Sequence, residues 1–313
     1  MLDKFKIGHY SDTENGTGVT VILAEDGAVG GVSVRGSSPA TRETDLLKSE
    51  KTVEQVNAVV LSGGSAYGLE ASCGVMEYLT ENKKGYNAGK YNVPIVVGAS
   101  LYDLEYKNFA YPDKKAGYEA CKNAKVANFE KGEIGVATGA TIAKMLGMDS
   151  AAKTTLGIQT YVFNNLEVAV IVGVNAIGDI VKNGEILAGL KGPDGSYLDS
   201  KRLLSAGGTS LKNSNTTIAC VITNARLTKV EANIIADIAH DGYARALSPA
   251  HTRFDGDAIF VMASGEVDCG INMLTAIVPD LVEKAVQSSV GNTEPIKAHV
   301  NPFVFKLFKK FIG

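Results

Sequence analysis

The residues that first suggest chemistry are Asn215, Thr216 and Thr217, where a polar segment (176–215) runs directly into an apolar stretch, 217–223. A threonine hydroxyl is a weak nucleophile unless a base lies beside it. The α-amino group of the same residue, with a pKa of about 7.7, becomes that base once the preceding peptide bond is cut. We therefore predict self-cleavage between Asn215 and Thr216, which leaves Thr216 as the nucleophile at the start of an inner strand. The alternative is that two β-branched residues simply open a strand, where they are favoured.

Asp255 and Asp257 form a second candidate group, separated by Gly256. Carboxylates at positions i and i+2 of an extended segment point to the same face, so they repel each other. One pKa should rise, while the other carboxylate can hold a hydroxyl or an ammonium group. The alternative interpretation is a turn with two solvated acids. No His or Glu cluster lies at ligand spacing, so we predict neither a metal nor a cofactor.

Lys144 and Asn175 complete the candidate set. Lys144 follows a glycine-rich segment and is predicted to lie on a short helix, from which it can orient a neighbouring group or lower its pKa. Asn175 ends the predicted strand 167–174 and can donate to an oxyanion. The segment is not a phosphate-binding loop, because Met145 follows the lysine where that motif requires Ser or Thr.

The elements that must position these residues come in mixed order. Two β-rich runs, 18–23 and 29–35, are separated by Glu25-Asp26-Gly27 and are predicted to pair as a hairpin. Thr228 and Glu231 form a capping box that predicts the start of a helix. Further strands are predicted at 57–61, 93–98, 167–174, 217–223 and 258–263, and helices at 67–82, 228–246 and 272–289. This pattern favours an α+β fold in which sheets pack against each other with helices outside.

Composition restricts the class of protein. The chain has 313 residues, of which 45% are hydrophobic and 21% charged, as expected of one compact globular unit. A formal net charge of −3 argues against a nucleic-acid partner and favours a small molecule. The N-terminal residues lack the apolar core of a signal peptide, and no run has the length of a membrane span. We expect a cytoplasmic protein with no membrane partner.

Taken in order, the motifs resemble those of the DmpA-type aminopeptidase family, peptidase family S58. This family includes L-aminopeptidase/D-esterases, β-aminopeptidyl aminopeptidases and nylon-oligomer hydrolases. The resemblance covers nearly the whole chain and rests on GTGVTV (16–21), VRG (34–36), TRETDLL (41–47), VVLSGGSAYGLEA (59–71), VATGATIAK (136–144), VGVNAIGD (172–179), NTTIACVITNARLT (215–228) and HTRFDGDAIF (251–260).

The resemblance implies a four-layer αββα sandwich, DmpA/ArgJ-like, that resembles N-terminal nucleophile hydrolases. It implies one domain over 1–313 that cleaves itself into an α part, 1–215, and a β part, 216–313. It also implies a homo-oligomer, a tetramer of processed units. Carried over by position, the roles are nucleophile for Thr216, contact with the nucleophile and the oxyanion for Lys144 and Asn175, the acid pair for Asp255 and Asp257, and substrate binding for Tyr67 and the acid pair.

The predicted function is that of a self-processing aminopeptidase or amidase. It would remove N-terminal residues from short peptides, amino amides or esters through an acyl group on Thr216. Two alternatives stay open at this point. One is an acyltransferase of the ornithine-acetyltransferase type, which hands the acyl group to an amine. The other is a small-molecule binding protein that never cleaves.

Overall fold

A computed structural model describes residues 2–207, 215–291 and residue 296. The predicted domain 1–313 and the predicted β part therefore extend beyond the described residues. Five α-helices occur in these ranges: α1 (Ala71–Glu81), α2 (Lys114–Lys122), α3 (Ser200–Ser205), α4 (Lys229–Ala246) and α5 (Ile271–Gln287). The strands are β1 (Lys6–Asp12), β2 (Thr17–Val34), β3 (Thr41–Arg42), β4 (Gln55–Ser62), β5 (Tyr86–Asn87), β6 (Asn92–Val93), β7 (Val96–Ser100), β8 (Lys125–Val126), β9 (Thr141–Ile142), β10 (Ala152–Lys153), β11 (Gly157–Phe163), β12 (Leu166–Asn175), β13 (Asp179–Lys182), β14 (Glu185–Ala188), β15 (Thr216–Ala225), β16 (Leu247–Ser248) and β17 (Ala258–Val267).

The long strand β2 connects two sheet layers. Its first half pairs with β1 and β4, and its second half pairs with β17. One layer continues from β17 through β15 and β12 to β11, and the other continues from β4 through β7 to β3. Strands β15 and β17 run parallel, whereas β12 and β15 run antiparallel.

The predicted hairpin of 18–23 with 29–35 is wrong, because both runs belong to β2. The pairing of β2 with β4 shifts register between Leu23 and Ala28, so the Glu25-Asp26-Gly27 segment forms an irregularity in the strand and does not reverse the chain. Gly27 adopts a φ of 93°, a left-handed conformation that glycine tolerates without steric cost.

Three buried apolar clusters correspond to the three interfaces of a four-layer sandwich. The first cluster packs α1 and α2 on β2, β4 and β7, and includes Val75, Leu79 and Val60. The second fills the space between the two sheet layers. The third packs α4 and α5 on β12, β15 and β17, and includes Ile235 and Val282. The order of layers is therefore helix, sheet, sheet, helix, which confirms the expected αββα sandwich.

Strand β15 shows why the apolar run 217–223 is buried on both faces. Ile218, Cys220 and Ile222 point into the space between the sheets, while Ala219 and Val221 point toward α4 and α5. Because successive side chains of a strand alternate between faces, a strand covered on both sides has no polar face to show in the sequence.

Most other predicted elements are confirmed, and the capping box of Thr228 with Glu231 is formed on both sides. The helix predicted at 67–82 begins as a 3-10 segment, Ser65–Glu70, and becomes α-helical only in α1. The strand predicted at 93–98 is interrupted between β6, which ends at Val93, and β7, which begins at Val96. Lys144 also differs from its prediction, because it does not lie on a helix. Its segment forms the short strand β9, which pairs with β10, and the lysine follows in an irregular stretch. None of the helices in the described residues is long and apolar enough to cross a membrane.

Candidate active site

Thr216 and Asn175 lie opposite each other on neighbouring strands. Thr216 begins β15, Asn175 ends β12, and the two residues are paired in the antiparallel register. Directly paired residues have their Cβ atoms about 5 Å apart on the same face of a sheet. That face is the one on which Ile218 enters the space between the two sheets. Both side chains are buried, with Thr216 3% exposed and Asn175 0%.

The peptide bond between Asn215 and Thr216 is held by neighbouring backbone groups. The amide of Gly256 donates to the carbonyl oxygen of Asn215 at 2.8 Å, and the amide of Asn215 donates to the carbonyl of Phe254 at 2.9 Å. The hydroxyl of Thr216 also donates to the carbonyl oxygen of Asn215. A hydroxyl therefore lies against a carbonyl group whose oxygen already has a backbone donor, which is the element of an oxyanion hole.

Lys144 fixes the side chain of Asn175. Its Nζ donates to the side-chain Oδ1 of Asn175 at 2.7 Å and to the main-chain oxygen of the same residue at 2.9 Å. The amide of Thr141 is a second donor to Oδ1, at 3.0 Å. On the other side, Nδ2 of Asn175 donates to the carbonyl of Tyr102 at 2.8 Å. An amide nitrogen carries two hydrogens, so Nδ2 retains one for a developing oxyanion.

Burial changes the acidity of Lys144. Loss of solvation lowers the pKa of its ammonium group from 10.5 to about 7, against the opposing effect of nearby acids, of which Asp255 contributes most. The preceding residue, Ala143, has a φ of 61°, a left-handed conformation that is rare for residues with a side chain. The amides of Ala143 and Lys144 donate to the carbonyls of Gly178 and Ile177, which fixes this unusual backbone next to β12.

Asp255 lies next to the predicted cleavage site, where it forms a parallel bridge with Asn215. Its Oδ2 accepts from the amide of Thr252 at 2.7 Å and from the hydroxyl of Thr252 at 2.6 Å. Its other oxygen, Oδ1, is buried and has no hydrogen-bond partner among the described residues. Burial, and secondly the charge of Asp257, raise the pKa of Asp255, as the spacing of the two acids predicts.

Asp257 is held on both carboxylate oxygens. Oδ1 accepts from the amide of Thr217 at 2.7 Å, and Oδ2 accepts from the amide of His251 at 3.2 Å and lies 2.8 Å from Nδ1 of its ring. The carboxylate thus connects the residue that follows Thr216 to the loop that precedes the acid pair.

Tyr67 is the predicted site residue that stands apart, since it makes no hydrogen bond to the other six. It lies in a 3-10 segment, Ser65–Glu70, is 57% exposed, and stacks on Tyr111 with ring centroids 5.3 Å apart. The turn before it is held by Asp103, whose Oδ1 accepts from the amide of Gly64 at 2.6 Å, and Asp103 follows Tyr102, the residue whose carbonyl accepts from Asn175. Burial raises the pKa of Asp103 to about 7.

The structure thus brings together Thr216, Asn215, Asn175, Lys144, Asp255 and Asp257, and places Tyr67 on a neighbouring exposed segment.

The sequence interpretation missed Gly256, Tyr102, Asp103 and His251. Gly256 and Tyr102 act through backbone groups, which are the same in every residue type and so cannot be recognised from the sequence. His251 lies within the motif HTRFDGDAIF, so the sequence indicated that it is near the acid pair, but not that it contacts Asp257. The described residues contain no group of three His, Cys, Asp or Glu side chains that could hold a metal ion.

Comparison with known proteins identifies the family. Residues 3–301 match the model of peptidase family S58. An uncharacterized aminopeptidase of Mycobacterium bovis is 35% identical, with 93% of this chain and 92% of that protein covered. A 6-aminohexanoate-oligomer endohydrolase of Paenarthrobacter ureafaciens is 29% identical, with 83% and 72% covered.

Solved structures establish the fold independently of close sequence similarity. The L-aminopeptidase D-Ala-esterase/amidase of Ochrobactrum anthropi, described as a variant of the Ntn hydrolase fold, superimposes with a TM-score of 0.67 at 16% identity, covering 99% of this chain and 92% of that one. A β-aminopeptidase of Burkholderia sp. gives a TM-score of 0.65 at 16% identity, with 98% and 92% covered. The chain therefore has an Ntn-hydrolase type of fold, belongs to peptidase family S58 and is a hydrolase of peptide or amide bonds.

Proposed function

We propose that this protein is a self-processing aminopeptidase or amidase whose nucleophile is Thr216. The observation that carries the proposal is the geometry at Asn215 and Thr216. The Thr216 hydroxyl lies against the Asn215 carbonyl, and the amide of Gly256 donates to the oxygen of that carbonyl at 2.8 Å. The names of the similar proteins, aminopeptidases and an oligomer endohydrolase, support the same class of reaction.

Processing begins with attack of the Thr216 Oγ1 on the carbonyl carbon of Asn215. The carbon–nitrogen bond breaks, an ester forms between Asn215 and Thr216, and the hydroxyl proton is transferred to the departing nitrogen. Water then hydrolyses the ester, which leaves a carboxylate on Asn215 and a free hydroxyl and α-amino group on Thr216. The Gly256 amide stabilises the negative oxygen of the tetrahedral intermediate.

In the processed enzyme, the α-amino group of Thr216 accepts the proton of its own hydroxyl as Oγ1 attacks the substrate carbonyl carbon. Asn175 donates its remaining Nδ2 hydrogen to the substrate oxyanion, and Lys144 keeps the amide in the orientation that makes this possible. The substrate amine leaves with the proton, and water releases the acyl group.

Recognition of a free amino group falls to the acid pair. The oxygens of Asp257 are occupied by Thr217 and His251, whereas Oδ1 of Asp255 is buried without a partner among the described residues. We propose that Asp255 binds the ammonium group of the substrate and that the nearby negative charge of Asp257 strengthens this attraction. Tyr67, on its exposed segment, is assigned to the substrate side chain. Suitable substrates are short peptides, amino amides and esters with a free N-terminus.

The proposal includes the two parts 1–215 and 216–313, a cytoplasmic location and a tetramer of processed units. Light scattering of the purified protein measures the oligomer directly.

The decisive experiment compares wild type with Thr216→Ala and, as the matched control, Thr216→Ser. We expect Thr216→Ala to give a single uncut chain of 32.9 kDa without amidase activity on L-alanine p-nitroanilide. Thr216→Ser keeps a hydroxyl and should still be processed. N-terminal sequencing of wild type should find Thr-Thr-Ile-Ala in addition to the original start. A processed or active Thr216→Ala variant would refute the proposal.

The same material separates the alternatives. A binding protein that never cleaves gives one band on a denaturing gel. An acyltransferase yields more N-acylated amine than free acid when an amino acid is added as the acceptor amine, whereas the proposed hydrolase yields mainly the acid.

A further inference from the structure

We propose that His251 is a positioning residue that sets the orientation of Asp257, and through it the backbone at Thr217 and the nucleophile Thr216. The proposal rests on the function proposed above. It assigns a role to a residue that lies six positions before Asp257 in the chain and that takes no part in the contacts around Lys144 and Asn175.

The first argument is the bridge that Asp257 forms. One carboxylate oxygen holds the amide of Thr217 at 2.7 Å, and the other meets both the amide and the ring Nδ1 of His251. A carboxylate oxygen accepts hydrogen bonds, so Nδ1 carries the hydrogen at 2.8 Å. Asp257 is 1% exposed, so these donors replace the water that a buried carboxylate has lost. A change at His251 is therefore transmitted to Thr217 through a single side chain.

The second argument is the unusual backbone of His251. Its φ of 54° is left-handed, a conformation that is sterically unfavourable for a residue with a side chain. This conformation directs the backbone amide and the imidazole to the same oxygen of Asp257. Backbone strain of this kind persists where surrounding contacts hold it, and it concentrates at functional sites.

The third argument is the packing that holds the ring. The imidazole of His251 packs edge-on against His240, with ring centroids 4.8 Å apart, and lies 6.1 Å from the ring of Tyr243. Both neighbours belong to α4 and are fully buried. His240 is itself fixed, because its Nε2 lies 3.1 Å from the carbonyl oxygen of Ser33 on β2. The ring of His251 is thus supported by a helix and a strand.

The neighbouring residue shows that the loop serves both acids. Thr252 holds Oδ2 of Asp255 with its amide and its hydroxyl, as His251 holds Oδ2 of Asp257 with its amide and its ring. Two successive residues therefore orient two successive acids of the site. Residues that only stabilised the loop would not need to direct both a backbone amide and a side-chain group to one oxygen of each carboxylate.

The test uses three substitutions at one position. The side-chain nitrogen of asparagine can occupy the place of Nδ1, that of glutamine reaches farther, and alanine has none. A hydrogen bond to a charged group contributes about 1.5–3 kcal/mol. We therefore expect kcat per processed chain to fall about 10- to 100-fold in His251→Ala, with KM within about twofold, because the transition state loses stabilisation and substrate binding does not. His251→Asn should recover most of kcat, and His251→Gln should not.

His9→Asn is the matched control, since His9 is another half-buried histidine, whose Nδ1 lies 3.0 Å from the hydroxyl of Thr20 on β2. It should lower the melting temperature without changing kcat. Equal activity of His251→Ala and wild type would overturn the proposal, and so would an Asn variant as inactive as the Ala variant. If His251→Ala does not fold, the comparison of Asn with Gln decides. Wild-type protein that is not cleaved before Thr216 would contradict the proposed function instead.

Discussion

Replacement of Lys144 by methionine tests the electrostatics of the site most directly. Methionine has similar length and no charge, so the change removes the buried ammonium group and its two hydrogen bonds to Asn175 while preserving most of the packing. The substitution should affect the pH dependence of stability and catalysis in separate, measurable ways.

The effect on stability follows from the lowered pKa of Lys144. A fall from 10.5 to about 7 means that the folded state binds this proton less tightly than the unfolded state. Below pH 7 the lysine is charged in both states, and burial of the charge costs up to about 5 kcal/mol at about 1.4 kcal/mol for each unit of pKa. Between pH 7 and pH 10.5 the folded state loses the proton first, so wild type gains stability as the pH rises. Methionine cannot show this gain.

The assay is urea unfolding at pH 6, 7, 8 and 9, performed in a Thr216→Ala background so that both proteins remain single chains. The free energy of unfolding of the methionine variant minus that of the lysine protein should be nearly constant from pH 6 to 7. It should then fall by about 2 kcal/mol between pH 7 and pH 9. Groups that do not interact with Lys144 cancel in the difference. Asp255 and Asp103 do interact with it and titrate mostly at or below about pH 7, so the difference is read between pH 7 and pH 9.

The effect on catalysis is measured with Thr216 intact. Without Lys144, the amide of Asn175 loses its shortest hydrogen bond and is held only by Thr141 and Tyr102, so its Nδ2 is less firmly directed toward the oxyanion. Complete loss of an oxyanion donor lowers kcat about 100- to 1000-fold, which is the upper limit of the expected fall. A stability difference that stays constant between pH 7 and pH 9 would refute the reasoning on Lys144, and full activity would refute the role of Asn175.

Two further predictions concern residues around the site. Asp103→Asn, made in the Thr216→Ala background so that the chain stays single, should be tolerated, because an amide can accept from Gly64 and donate to Thr17. The protein with Asp103 loses stability as the pH rises from 4 to 7, since burial raises the pKa of Asp103 to about 7. The Asn variant should therefore become more stable than the Asp103 protein by up to about 4 kcal/mol over this range in urea titrations. An unchanged difference across that range would contradict it. In the same background, Ala143→Gly should change the free energy of unfolding by less than about 1 kcal/mol, because relief of the left-handed φ of 61° offsets the loss of a buried methyl group. A loss of more than about 2 kcal/mol would show that the backbone there is not strained.

Parts of the fold were predictable because a single physical signal dominates them. The apolar run 217–223 is covered on both faces, and the capping box at Thr228 fixes the start of α4. The prediction of a hairpin around Gly27 was wrong because its turn-forming residues are compatible both with a reversal of the chain and with an irregularity in a continuous strand. Only the register of pairing with β4 decides between the two. The prediction that Lys144 lies on a helix was wrong for a similar reason. The backbone there is fixed by hydrogen bonds from the amides of Ala143 and Lys144 to the carbonyls of Gly178 and Ile177, which are distant in the sequence.

Within the site, the sequence indicated residues that act through their side chains at the ends of strands. Thr216, Asn175 and the acid pair all follow this rule. The amide of Gly256 and the carbonyl of Tyr102 could not be found in this way, because every residue type offers the same backbone groups. Which backbone group faces the site depends on the alignment of strands from distant parts of the chain.

The position of β15 and β17 inside the sheet affects how the processed protein unfolds and whether it can refold. Both strands belong to the part that begins at Thr216, yet they lie between β12 and β2, which belong to the part before it. Scission before Thr216 would leave the two pieces interleaved, each completing the other's hydrogen-bonded ladders. Assembly before the cut is a unimolecular event, whereas reassembly after denaturation would require two separate chains to meet. The processed protein would then persist because it comes apart slowly, and loss of its native state would be in practice a one-way event.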